Sequence, residues 1–102
     1  MLLNEQQNGN DFIAFYDSSN ILMSKYIYDQ RKLAVIFAKG QQYVYEGVIP
    51  YHYQRFKTSQ SQGKGLKDFI TANYKAIKAE GKLDGEILEG IKKQVEDLKK
   101  QR

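Results

Sequence analysis

The feature that most constrains the fold is a run in the middle of the chain, residues 39–50, which reads KGQQYVYEGVIP. Lys39 and Gly40 predict a tight hairpin turn, because glycine adopts positive φ angles at no steric cost. The alternating side chains of residues 42–48 predict a strand, and Pro50 is typical of the first turn of a helix. We therefore expect an antiparallel hairpin followed at once by a helix.

The residues before this run extend the hairpin to a three-stranded antiparallel meander. Strand signals cover residues 21–28 and 33–38, with a turn between them. A two-residue loop at positions 39 and 40 would place Ile36 opposite Tyr43, and a bulge would swap the two faces of the sheet. The face predicted to form the core carries Tyr26, Tyr28, Leu33, Val35, Phe37 and Val44. The other face carries Lys25, Ile27, Ala34, Ile36, Tyr43 and Tyr45.

Helical signals dominate the rest of the chain. Pro50 predicts a short helix over residues 50–57. Apolar residues at three- and four-residue steps from Leu66 to Ile77 predict an amphipathic helix that ends at Gly81. Asp84 is a candidate cap for a last helix. The apolar stripe of that helix consists of Ile87, Leu88, Ile91, Val95 and Leu98.

These elements predict an α+β fold, in which helices pack on one face of the meander and a C-terminal helix is appended. The predicted organisation is an N-terminal arm (1–17), a domain (18–78) and a C-terminal amphipathic helix (79–102). The start of the arm is rich in Asn and Gln, and residues 12–16 could form a short strand or a hydrophobic clip.

Charge and aromatic residues are concentrated in the middle of the chain. By formal charge, residues 1–17 carry −3, residues 18–78 carry +7 and residues 79–102 carry 0. The middle segment also holds ten of the thirteen aromatic residues. Basic and aromatic residues together are typical of proteins that bind nucleic acids or nucleotides. A solubilising surface around an aromatic core would give the same composition.

The residues offer little for catalysis. The chain has no cysteine and one histidine, His52, without an obvious carboxylate partner. The serines lack a convincing base, and the acidic residues lack metal-ligand spacing. We expect a protein that is not an enzyme and needs no cofactor or metal. No apolar run approaches the ~20 residues of a membrane helix, so a soluble cytoplasmic protein is expected.

Tyrosine pairs and basic residues are the candidate binding site. Tyrosines at i and i+2 occur at positions 26/28, 43/45 and 51/53, and those on strands share one face. Tyr43 and Tyr45 are a candidate platform for stacking bases, although cross-strand packing in a core is the alternative. The candidates for neutralising phosphates are Lys25, Lys39, Arg55, Lys64 and Lys67.

A glycine-rich triplet follows the loop predicted at residues 58–63. Gly63, Lys64 and Gly65 lead into the helix predicted from Leu66, where free N–H groups and a lysine could hold a phosphate. The spacing of a P-loop is absent. The alternative is a loop whose glycines only let the chain turn.

The order of motifs resembles the KTSC domain family. The matching residues are Ser18-Ser19-Asn20-Ile21, Leu33-x-Val35-x-Phe37-x-x-Gly40-x-x-Tyr43-x-Tyr45-x-Gly47-Val48-x-Pro50, Ser59-x-Ser61-x-Gly63-Lys64 and Ile70. The resemblance covers roughly residues 18–74. It departs at Gly65-Leu66, where the family usually has bulky aromatics, and at Ser59, where alanine is common. The family occurs at the C-terminus of some lysyl-tRNA synthetases and alone in bacterial and phage proteins, and that context implies RNA binding.

The predicted function is a small, non-catalytic accessory protein of bacterial or phage origin that binds RNA or single-stranded DNA. It would be a monomer or homodimer, away from membranes, in the cytoplasm or, for a phage protein, the host cytoplasm. One alternative is a protein-interaction module that binds a host protein through the last helix or the face of Tyr43 and Tyr45. The other is an oligomer that sequesters nucleotides.

Overall fold

The sheet at the centre of the molecule has six antiparallel strands within residues 1–78 and 82–101, which are the residues that the computed structural model describes. The strands pair in chain order: β1 (Leu2–Asn8), β2 (Asp11–Tyr16), β3 (Ile21–Ile27), β4 (Lys32–Phe37), β5 (Gln42–Tyr45) and β6 (Ala76–Lys78). The helices are α1 (Pro50–Lys57), α2 (Gln62–Gly65), a π-helix that continues it (Leu66–Thr71) and α3 (Gly85–Lys100). The α+β class is confirmed, whereas the predicted three-stranded sheet is wrong because strands are added at both edges.

The first added strands come from the segment predicted to be an arm. β1 and β2 form a hairpin that turns near Gly9, whose φ angle is +63°. β2 then pairs with β3, with Phe12 opposite Tyr26. Ala14 and Tyr16 are completely buried, so this hairpin contributes to the core. Of the two alternatives for residues 12–16, the strand is correct.

The last added strand lies where a helix was predicted. The helical turns that begin at Gln62 end at Thr71, and Ala76–Lys78 pairs with β5 as an edge strand. Ile77 lies opposite Val44 and is 52% exposed, so its three-residue spacing from Tyr74 does not mark a buried helical face. The predicted helix end at Gly81 lies outside the described residues.

The β4–β5 hairpin differs from the prediction by one residue. The Phe37 N–H donates to Gln41 O and the Gly40 N–H donates to Phe37 O, so the loop has three residues rather than two. Gly40 has a φ angle of +95°, as expected for a three-residue loop that ends in a bulge. Tyr43 therefore lies opposite Val35 and not opposite Ile36. Because side chains alternate, this shift moves Tyr43 and Tyr45 to the core face and Val44 to the other.

Helices cover both faces of the sheet. We call the side under α1, α2 and the π-helix the helical face, where Tyr26, Leu33 and Val35 are buried as predicted. The helix predicted over 50–57 is confirmed, with Phe56 completely buried. α3 lies on the opposite face, where Val95 packs with Phe15 and Leu22.

The predicted cap of α3 is present, because the Glu86 N–H donates to the Asp84 carboxylate at 2.8 Å. None of the helices in the described ranges is long and apolar enough to cross a membrane.

Candidate nucleic-acid interface

A groove of about 580 Å³ opens on the helical face, where β3 begins and β4 ends. Apolar side chains from the sheet and the π-helix lie beside polar ones from two loops. We call it the Tyr43 groove; its lining residues are Ser19, Asn20, Ile21, Phe37, Ala38, Lys39, Gln41, Tyr43, Tyr45, Gly63, Leu66 and Thr71.

The structure separates the two tyrosines of the predicted platform. Tyr45 is 2% exposed and belongs to the core, and burial raises the pKa of its hydroxyl above the usual range. Its ring cannot stack on a base without leaving the core, so its predicted role is wrong. Tyr43 is half-buried, and its ring meets Phe37 edge-on with centroids 5.4 Å apart. Only Tyr43 is therefore left as a stacking surface.

The predicted phosphate-binding residues are only partly brought together. Lys39 lines the groove, is exposed and makes no ion pair with any described residue. Lys64 and Lys67 are also exposed and follow two groove residues, Gly63 and Leu66, in the chain. Of these three lysines, Lys39 lines the groove, whereas Lys64 and Lys67 are neighbours in the chain of residues that do.

Two predicted basic residues lie elsewhere. Lys25 projects from the opposite face of the sheet, as its pairing with Ala34 shows, and it forms a 3.5 Å ion pair with Asp11. Arg55 lies on α1, where its guanidinium stands 4.9 Å from the centre of the Phe69 ring. Neither residue lines the groove.

The glycine triplet is part of a helix and not a free phosphate loop. The Lys64 N–H donates to Ser61 Oγ and the Gly65 N–H donates to Ser61 O, so the capping serine already uses two of the N–H groups. A Cβ at Gly65 would lie only 2.4 Å from Ser59 Oγ. Gly65 is thus needed for the close packing of α2 on the end of α1, while Gly63 lines the groove.

The rim of the groove carries polar groups that the sequence did not reveal. The side chains of Ser19, Asn20 and Gln41 make no hydrogen bond with the described residues, and neither does the Tyr43 hydroxyl. A backbone bond from Ala38 N–H to Asn20 O, at 2.8 Å, holds the wall in place. Asn20 and Ser19 stood out only through the family resemblance, and no signal marked Gln41. None of the described lining residues is acidic.

A second, smaller recess lies at the other end of β3. It measures about 120 Å³, and we call it the tyrosine pocket; its lining residues are Phe12, Tyr26, Tyr28, Pro50, Tyr53, Gln54 and Lys57. Tyr26 and Tyr53 stack with ring centroids 4.4 Å apart and planes 13° apart. Both oxygens of Glu5 accept from the Lys57 ammonium at 2.9 Å, and the Tyr53 hydroxyl donates to the same carboxylate.

Comparison with known proteins identifies the domain that builds the groove. The KTSC domain family matches residues 17–74, more than half of the chain. The chain belongs to the KTSC domain family. The crystal structure of a KTSC domain protein from Yersinia pestis is similar, with 28% identity, a TM-score of 0.61, and coverage of 66% of this chain and 94% of that chain. No curated protein matches the chain.

All lining residues of the Tyr43 groove lie within the KTSC domain. The tyrosine pocket also uses Phe12, which precedes the domain, and Lys57 there is paired with Glu5 of β1. The groove is therefore a feature of the KTSC domain, whereas the pocket depends on residues that this chain adds in front of it.

Proposed function

We propose that this KTSC protein is a non-catalytic binder of single-stranded nucleic acid, RNA or DNA, that takes one unstacked nucleotide into the Tyr43 groove. The observation that carries the proposal is the presence of a half-buried Tyr43 ring and an unpaired Lys39 in one groove without a described acidic residue. An aromatic surface beside a cation suits a base and its phosphate.

Each part of the groove has a role in this proposal. A base would lie against Tyr43 and Phe37, and such stacking contributes ~1–3 kcal/mol per base. The carboxamides of Asn20 and Gln41 would hydrogen-bond to the edge of the base. Lys39 would neutralise a phosphate, and Lys64 and Lys67 would attract neighbouring phosphates along the strand. Because one base supplies little energy, we expect micromolar or weaker affinity for short oligonucleotides.

The test is fluorescence anisotropy with a labelled single-stranded RNA and its DNA equivalent in low salt. Tyr43→Ala should weaken binding about fivefold or more, the loss of one stacked base. Tyr51→Ala is a matched control, because Tyr51 is 60% exposed and lies outside the groove. Undetectable binding in low salt, or equal losses in the two variants, would contradict the proposal.

The same titration, repeated with a mononucleotide, distinguishes single-strand binding from the alternative in which the protein sequesters nucleotides. A mononucleotide that binds as tightly as the oligonucleotide would favour sequestration, because the neighbouring phosphates would then add nothing. The absence of catalysis, a bacterial or phage origin and a cytoplasmic location stay predictions.

A protein partner is the second candidate function. Ile77 at the sheet edge and Ile87 on α3 are 52% and 56% exposed, so each offers apolar surface to a partner. Light scattering of the full chain tests self-association through these residues, and a monomer at high concentration would exclude it.

A further inference from the structure

Two of the three tyrosine pairs each consist of one buried and one exposed ring at the same end of the molecule. The inner rings, Tyr26 and Tyr53, are 1% and 3% exposed and stack on each other. The outer rings, Tyr28 and Tyr51, are 47% and 60% exposed. Tyr28 lines the tyrosine pocket, and Tyr51 follows its lining residue Pro50. Tyr28 therefore gives this aromatic pocket an exposed ring, and Tyr51 is a second exposed ring on α1, the helix that supplies Pro50 and Tyr53 to the lining.

The inner rings are fixed in place, whereas the outer polar groups are free. The Tyr26 hydroxyl donates to Val48 O at 2.6 Å, and the Tyr53 hydroxyl donates to Glu5 at 2.7 Å. By contrast, the hydroxyls of Tyr28 and Tyr51 make no hydrogen bond within the described ranges, and neither does the carboxamide of Gln54. The pocket thus combines a rigid aromatic floor with unused hydrogen-bond donors.

Charge and size argue against a nucleic acid at this end. The Lys57 ammonium is held by Glu5, and the guanidinium of Arg31 lies 5.8 Å from the centre of the Tyr28 ring. A hydrogen bond from Val48 N–H to Arg31 O joins the two turns that border the pocket. These turns and Lys32, the first residue of β4, carry two basic residues (Arg31 and Lys32) and two acidic residues (Asp29 and Glu46), so their formal charge is zero. At about 120 Å³ the pocket is also far smaller than the groove of about 580 Å³.

We propose that the tyrosine pocket binds an extended, proline-containing segment of a partner protein. A prolyl ring fits the small apolar space between Tyr28, Tyr53 and Pro50. The polyproline II conformation leaves the peptide carbonyls without internal hydrogen bonds, and Gln54 and the outer tyrosine hydroxyls can donate to them. A prolyl segment is already extended and loses little conformational freedom, so a small aromatic pocket suffices to bind it.

Nuclear magnetic resonance of the isotope-labelled full chain tests this proposal with an acetylated decaproline peptide. We expect the backbone signals of Tyr28, Tyr51 and Gln54 to shift, while those of Lys39 and Tyr43 stay in place. A glycine–serine peptide of equal length is the matched control and should shift none of them. Tyr28→Ala and Tyr51→Ala should each raise the Kd about fivefold or more, a typical loss for an aromatic anchor.

Both variants replace exposed rings, so the dispersion of the spectrum should show an unchanged fold. Tyr28→Phe keeps the ring and should retain more affinity than Tyr28→Ala. An absence of shifts at millimolar peptide, or an unchanged Kd in both alanine variants, would overturn the proposal. Shifts of the Tyr28 and Tyr51 signals by a single-stranded oligonucleotide would overturn it too, because the occupant would then be a nucleic acid.

Discussion

The Tyr43 groove and the tyrosine pocket lie at opposite ends of β3 and are built on the same plan. Each has one tyrosine that belongs to the core, Tyr45 or Tyr26, and a more exposed one two positions away in the sequence, Tyr43 on the same strand or Tyr28 in the turn after β3. They differ in charge. Lys39 in the groove has no described ion-pair partner, whereas Lys57 in the pocket is held by both oxygens of Glu5.

This difference indicates which basic residues can bind a ligand, because a lysine already held in an ion pair is less available to a phosphate. The acidic residues of the N-terminal hairpin and Asp17, which follows it, each lie within 4 Å of a lysine: Glu5 at Lys57, Asp11 at Lys25 and Asp17 at Lys99. Two of these lysines belong to the basic middle segment, so the hairpin removes part of the charge that pointed to nucleic acid. The lysines near the groove are not ion-paired to these acidic residues, and their positive charge is available to a ligand. We therefore place the phosphates there.

The largest expected effect is on stability and tests which rings belong to the core. Tyr45→Ala and Tyr26→Ala should each lower the free energy of unfolding by ~3–5 kcal/mol, because they leave cavities under the helical face. Tyr28→Ala should cost less than ~1 kcal/mol, as is usual at exposed positions. Tyr43→Ala should fall between them. Urea unfolding measures all four. A small loss for Tyr45→Ala would show that its ring is accessible and restore it as a stacking surface.

The next largest effect is a loss of stability at alkaline pH. We expect Tyr53 of the pocket to contribute more to this loss than Tyr45 of the groove. Burial raises the pKa of Tyr53 and Tyr45, and the nearby Tyr16 and Glu5 raise that of Tyr53 further. A raised pKa means that the folded state favours the neutral phenol. The resulting stability is complete below the unfolded-state pKa of about 10 and is lost as the pH rises above it, by up to ~1.4 kcal/mol per pH unit for each tyrosine.

The contribution of each tyrosine hydroxyl is isolated by comparing the pH dependence of unfolding between the wild type and the corresponding phenylalanine variant. Urea unfolding at several pH values should show that Tyr53→Phe flattens the alkaline decline more than Tyr45→Phe, because Tyr45 also lines the open groove. An equal decline in all three proteins would mean that water reaches both hydroxyls.

Elements with a local chemical signal could be predicted from the sequence. Pro50 marks the start of α1 because its ring is preorganised for the first turn, and Asp84 marks the cap of α3 through its side chain. The alternation in β3 and β4 correctly placed Tyr26, Leu33 and Val35 on the core face.

The remaining elements depend on contacts that no local pattern shows. Two- and three-residue hairpin loops both use a glycine such as Gly40, so the register of Tyr43 stayed open by one residue. The polar β1 strand has no clear alternation and is stabilised by pairing with β2. The helix predicted to end at Gly81 stops at Thr71, and the Tyr74 hydroxyl beyond it accepts from Ile49 N–H and bonds to His52.

The residues of the candidate site also divide into those that have a local sequence signal and those that depend on contacts between distant parts of the chain. Tyr43 and Lys39 could be predicted because aromatic and basic residues are distinctive in sequence. Asn20 and Gln41 could not, because polar loop residues carry no periodicity and meet at the groove only through the β4–β5 turn. Tyr45 was misplaced by the same one-residue shift in register.

The smallest expected effect concerns the salt dependence of nucleic-acid binding and tests the charge difference directly. Each phosphate neutralised on a single strand contributes about 0.7 to the slope of log affinity against log salt concentration. Lys39→Ala should therefore reduce the slope by about 0.7, the loss of one phosphate contact.

Arg31→Ala should leave the slope unchanged, because Arg31 lies at the neutral end. Lys93→Ala on α3 controls for net charge, since Lys93 is exposed on the opposite side of the sheet. Anisotropy titrations from about 50 to about 200 mM salt resolve these slopes. A reduction with Arg31→Ala and none with Lys39→Ala would move the phosphate path to the tyrosine pocket and reverse the assignment of the two sites.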